Sequence, residues 1–162
     1  MRTAICPGSY DPITLGHLNI IRRASRLFDR VIVCAMKNPS KTNPMFSDEE
    51  KLDMIRKATA RFGNVEAAMF DGLLTDFAKK YENPVIVKGL RAVTDFEYEF
   101  QMSLINRKLS PELETVFLTS SDKYTFLSSS IVREMAHYGV PLDGFVPYEI
   151  IEDIERKASQ LK

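Results

Sequence analysis

Four separate segments of the chain combine residue types that hold phosphate. The first is Pro7-Gly8-Ser9-Tyr10-Asp11-Pro12-Ile13-Thr14-Leu15-Gly16-His17, in which turn formers deliver a histidine to the predicted start of a helix. Gly8 and Gly16 permit close backbone approach, Ser9 and Thr14 bring hydroxyls, and the first N–H groups of a helix attract anions. The second is Lys88-Gly89-Leu90-Arg91, two cations around a glycine, and Lys41 is a third cation in a polar loop. The last is Ser128-Ser129-Ser130, hydroxyls at another helix start with Arg133 one turn on. Donors and cations of this kind position anionic reactants and absorb their charge, so the four segments read as one anion site.

Any such anion site must be local. Lys plus Arg number 22 and Asp plus Glu number 22, so no global field draws the chain to nucleic acid or to an anionic membrane. At 162 residues the expectation is a single domain over residues 1–162, large enough to fold without disulfides or a structural metal. Cys6 and Cys34 form no Cys-x-x-Cys pair and lie in apolar runs, as buried reduced thiols do. The sequence shows neither a signal-peptide pattern nor an apolar run of spanning length, and a cytoplasmic protein is expected.

Strand and helix signals alternate. Strands are predicted at Thr3 to Cys6, Arg30 to Met36, Asn64 to Phe70, Val85 to Val87 and Thr115 to Leu118. Between them, helical spacing predicts helices over His17 to Phe28, from Ser47 with a Ser47/Glu50 capping box, over Leu73 to Tyr81 and over Asp95 to Leu109. Two more follow, from Ser129 to Tyr138 before Gly139, and after Pro147. Asn38 to Pro44 reads as a long surface loop. The series predicts an α/β fold: a doubly wound, five-stranded parallel sheet in the order 3-2-1-4-5 with C-terminal helices. Winding reverses between the first and fourth strands, so their carboxyl ends should bound the ligand crevice, where the first two phosphate segments fall.

The segments Gly8-Ser9-Tyr10-Asp11-Pro12-x-Thr14-x-Gly16-His17, Gly89-Leu90-Arg91-Ala92-Val93-x-Asp95-Phe96-Glu97-Tyr98-Glu99 and Ser128-Ser129-Ser130 closely resemble the bacterial phosphopantetheine adenylyltransferase family. The first marks the nucleotidyltransferase superfamily in general; the second is far more particular. The resemblance implies a Rossmann-like fold, ATP with Mg²⁺ and 4′-phosphopantetheine as substrates, dephospho-coenzyme A and pyrophosphate as products, and a homohexamer. By motif position, it implies that His17 binds ATP phosphate and stabilises the transition state, and that Ser9 and Tyr10 touch ATP. Gly89, Leu90, Arg91, Glu99 and the run Tyr124, Thr125, Phe126, Leu127, Ser128, Ser129 and Ser130 resemble ATP-binding positions. Ser9, Lys41, Leu74 and Lys88 resemble acceptor-binding positions. Lys88 stands where the family often has Arg, giving a point charge in place of a bidentate fork.

The expected reaction is in-line attack of the acceptor phosphate on the α-phosphorus of ATP. A phosphate monoester has its second pKa at about 6, so the nucleophile is already ionised and no general base is required. Two other functions fit the same residues: transfer to a different small-molecule acceptor, or a catalytically idle nucleotide-binding module. Residue by residue, plainer roles also exist. Lys41 is ordinarily a solvated charge and Leu74 a core residue; Asp95, Glu97 and Glu99 suit a solvated helix start; the phenylalanines spaced through 95–109 read as core. His137, beside a helix end, is assigned no role.

Overall fold

The computed structural model describes residues 1–40 and 43–162, without the side chains of residues 93 and 94. Lys41 therefore lies outside the described residues. The chain runs β1 (Thr3–Gly8), α1 (Leu15–Leu27), β2 (Arg30–Met36), α2 (Asp48–Thr59), β3 (Val65–Phe70), α3 (Leu74–Ala78), β4 (Pro84–Leu90), α4 (Val93–Leu109), β5 (Glu114–Thr119), α5 (Ser129–His137) and α6 (Ile151–Gln160). The described residues form a five-stranded sheet in the order β3-β2-β1-β4-β5, parallel throughout, as the alternation of elements predicts.

Side chains alternate across β1 and β2, so Ala4, Cys6, Val31 and Val33 face one helical layer while Ile5, Ile32 and Cys34 face the other. The first layer is the larger and is closed by α1, α2, α5 and α6 through residues such as Ile21, Ile55, Val132 and Ile154. Both cysteines are free and buried, and burial pushes each thiol up to about 12, which leaves them unreactive. α6 is clamped onto α2 by the Lys157 ammonium at 2.9 Å from both Glu50 oxygens and by Lys57 at 2.8 Å from Asp153. No helix among the described residues is long and apolar enough to cross a membrane.

β1 continues past its predicted end at Cys6, because Pro7 and Gly8 stay in register with Cys34 and Ala35 of β2. Its pairing with β4 is shorter and stops at Ile5 opposite Ile86. Beyond that rung the two strands separate, which opens the switch-point crevice between their carboxyl ends.

The phenylalanines of α4 that read as core are not core, and the rest of their apolar stripe is open as well. Phe96, Phe100, Leu104, Ile105 and Leu109 are 43–53% exposed. Phe96 stacks on Phe100 at 5.5 Å and meets Phe117 of β5 edge-on, so the stripe forms an open aromatic surface beside the last strand. Helical periodicity reports that one face is apolar; it does not report what covers that face.

Candidate active site

The crevice is a cavity of about 360 Å³ lined by the β1–α1 loop, the end of β4, the start of α4 and the start of α5. The loop after β1 is shaped around Tyr10, whose φ of 47° lies in the left-handed region. Its ring is 4% exposed, its hydroxyl donates to the Cys6 carbonyl at 2.8 Å, and a side chain on Gly8 would come within 3.1 Å of it. Tyr10 thus lines the cleft as a packed ring with its phenol turned to the protein, and it meets the His17 ring edge-on at 5.0 Å.

His17 occupies the third position of α1 inside a capping box with Thr14. The Thr14 side chain accepts from the His17 backbone N–H, and the Thr14 backbone N–H donates to His17 Nδ1 at 3.0 Å. A ring nitrogen that accepts a hydrogen bond carries no proton, so the neutral imidazole bears its hydrogen on Nε2. Burial, followed by the nearby charges of Arg91 and Lys88, lowers the His17 pKa from 6.5 to about 4. His17 is therefore a neutral donor fixed in one tautomer.

The first turn of α1 holds less free donor capacity than its sequence suggests. The Leu15 N–H donates to the Phe145 carbonyl at 2.9 Å and the His17 N–H to Thr14, so this helix start offers the cleft the Gly16 N–H and the histidine ring. The serine run divides its work. Ser128 caps α5, the Ser129 hydroxyl donates to the Pro12 carbonyl at 2.7 Å, and Ser130 accepts from Arg133 at 3.1 Å. Main-chain N–H groups of Ser129 and Ser130, in the first turn, and the hydroxyl protons of Ser128 and Ser130, whose oxygens only accept in these bonds, are then the donors this helix start can offer an anion. Arg133 also donates to the Asp11 carbonyl at 2.7 Å, so it braces the loop.

Both cations of the second segment reach the cleft, each held by a carboxylate. Arg91 makes a fork to Asp95, with Nε at 2.9 Å, and donates to the Leu127 carbonyl at 2.7 Å. Lys88 lies 3.2 Å from Glu99. Gly89 has a packing reason to be glycine: a Cβ there would stand 2.8 Å from Ile20, so its absence lets α1 lie close on β4. Ser9, His17, Lys88, Gly89, Arg91, Glu99, Leu127 and Ser128 to Ser130 all line this cavity. Leu90, Tyr124, Thr125 and Phe126 do not, although Tyr124 packs beside Gly16 and Phe126 is exposed against Phe145.

A second cavity, of about 430 Å³, adjoins the first and shares Pro7, Gly8, Ser9, Lys88 and Glu99 with it. Leu74 lines it, together with residues that sequence reading did not select: Lys37, Leu73, Tyr98, Met102 and Asn106. Asn106 is 8% exposed, and no side-chain hydrogen bond of its amide occurs among the described residues.

A doubly wound sheet with histidine, arginine, lysine and a helix start converging on its switch point defines the Rossmann-like nucleotidyltransferase class. The family model described as cytidylyltransferase-like matches residues 5–135. A phosphopantetheine adenylyltransferase of Clostridium perfringens and one of Clostridium botulinum are each 50% identical over 162 residues, covering 100% of this chain and 98% of the relative. One from Caldanaerobacter subterraneus is 50% identical over 157 residues, 97% of this chain and 98% of its own length. In solved structures, the bifunctional NMN adenylyltransferase/ADP ribose pyrophosphatase of Francisella tularensis shares the fold, with TM-score 0.73 and 15% identity over 98% of this chain and 51% of that one. A protein of Vibrio parahaemolyticus assigned as a nicotinate-nucleotide adenylyltransferase gives TM-score 0.71 and 15% identity, covering 99% of this chain and 96% of that one. The chain belongs to the cytidylyltransferase-like family and, within it, to the phosphopantetheine adenylyltransferases.

Proposed function

We propose that this chain transfers the adenylyl group of ATP to 4′-phosphopantetheine, giving dephospho-coenzyme A and pyrophosphate. The observation that carries the reading is two joined cavities meeting at Ser9 and Lys88, one rich in phosphate donors and one walled by apolar side chains. The triphosphate fits the first, against His17, Arg91 and the start of α5. The pantetheine arm fits the second, where Leu74, Met102 and the Asn106 amide match its alternating methylene and amide chemistry. The acceptor phosphate then sits at the junction, between Ser9 and Lys88, in reach of the α-phosphorus.

In this arrangement the acceptor phosphate oxygen bonds to the α-phosphorus as the bond to the bridging oxygen breaks, and pyrophosphate carries away the electron pair. His17 Nε2–H donates to the phosphate oxygens as charge builds on them; its neutral form suits a donor that takes no proton. Arg91 and Lys88 offset the mutual repulsion of the two anions once substrate oxygens compete with Asp95 and Glu99 for them. Magnesium would be held by the phosphates of ATP and would offset their charge there; Asp95 and Glu99 are already paired to Arg91 and Lys88, and no cluster of three His, Cys, Asp or Glu exists among the described residues.

The open aromatic face of α4 supports self-association, because exposed apolar stripes mark association surfaces; the family resemblance is what makes the proposed assembly a homohexamer, acting in the cytoplasm. The test of function is ATP-dependent formation of dephospho-coenzyme A from 4′-phosphopantetheine by wild type and by His17→Ala. The variant should turn over about 10²- to 10³-fold more slowly with modest change in binding, as for loss of one preorganised donor. Wild-type turnover by the variant removes His17 from the chemistry; pyrophosphate release with a different acceptor and none with phosphopantetheine removes the substrate assignment.

A further inference from the structure

We propose that Asp11 is a positioning residue that braces the acceptor-side wall of the cleft against its nucleotide-side wall, an inference that rests on the substrate placement above. The Asp11 side chain is 6% exposed and lies between three segments. Its two carboxylate oxygens accept separately, Oδ1 from the Phe46 N–H at 2.9 Å and Oδ2 from the Met45 N–H at 3.0 Å. Asp11 itself lines a third cavity together with Lys37, Asn38 and Pro39, which also line the acceptor cavity, and with Pro44, the neighbour of Met45. Its main chain serves the other wall: the Asp11 carbonyl accepts from Arg133 of α5, and the next carbonyl, Pro12, accepts from Ser129. Arg133 is also 3.6 Å from Oδ2 and balances the buried charge.

Side chain and main chain of one residue thus hold different substrates' walls, with Ser9 two residues away where the cavities meet. The carboxylate cannot be replaced by its amide. Asparagine has one carbonyl oxygen, so whichever way the amide is turned its NH₂ faces a backbone N–H, and one of the two ties breaks.

Asp11→Asn should raise the KM for 4′-phosphopantetheine about tenfold, as expected for losing a hydrogen bond to a charged group, with the KM for ATP unchanged within about twofold. Arg133→Lys, which keeps a charge beside the Asp11 carboxylate and loses the paired hold on the Asp11 carbonyl and Ser130, should do the reverse, raising the KM for ATP and sparing the acceptor. A residue that only stabilised the fold would move both constants together, and that result in either folded variant overturns the brace. Amide hydrogen exchange separates this from failure of the functional reading. Asp11→Asn should speed exchange at Met45 and Phe46 and leave the start of α5 unchanged, whatever the wild type turns over. Unchanged exchange at both amides overturns the proposal. If Asp11→Asn does not fold, the split between the two KM values in Arg133→Lys decides.

Discussion

His17 is held neutral by its surroundings, and holding it so has a cost that rises as pH falls. Its folded-state pKa is about 4, against 6.5 when exposed in the unfolded chain. Between these values the unfolded state binds more protons than the folded state, so stability falls as pH drops through this window and is fully retained above it. Going from pH 8 to pH 5, the loss from this one group is on the order of 2 kcal/mol, from the ratio of the two protonation polynomials. In a domain of this size that corresponds to about 4–8 °C in Tm. His17→Gln keeps a neutral donor without the titration, so thermal unfolding of the ligand-free protein followed by circular dichroism at both pH values isolates the effect. The wild type should lose more Tm than the variant by that amount. Equal losses would show that folding leaves the His17 pKa unshifted, which would refute the claim that burial beside Arg91 and Lys88 holds the ring neutral.

Gly89→Ala should destabilise the fold by about 1–3 kcal/mol, because its Cβ would stand 2.8 Å from Ile20 between α1 and β4; the urea midpoint reads this, and adding Ile20→Ala should recover part of it. Arg91→Lys retains charge but loses the fork to Asp95 and the bond to the Leu127 carbonyl, so the KM for ATP should rise about tenfold in steady-state kinetics. Phe96→Lys with Phe100→Lys should give a monomer by sedimentation velocity while wild type sediments as a larger species; a monomeric wild type would show that the α4 face serves something other than self-association.

Much of the fold was legible because its signals are local. The apolar run Arg30–Met36 is observed as β2 with those bounds, and the Ser47/Glu50 capping box starts α2 where its spacing predicts. The strand order followed from alternation and the right-handed crossover rule, which depend on chain chirality and not on particular side chains. The phosphate segments were legible for the same reason, since a crevice at the switch point collects whatever follows β1 and β4.

What sequence could not supply is whatever depends on two distant surfaces meeting. The stripe on α4 has the spacing of core and is exposed, because periodicity carries no information about the partner across the interface. Arg133 reads as a fourth phosphate cation and is occupied with Asp11 across the site, and the Leu15 N–H is consumed by Phe145, 130 residues away by sequence number. The neutral state of His17 belongs here too: the sequence by itself determined that a histidine opens α1 beside a glycine-rich loop. Only the tertiary structure decided its tautomer, through Thr14, and its lowered pKa, through burial beside Arg91 and Lys88, because electrostatic work depends on distance and dielectric, neither of which is written in residue order.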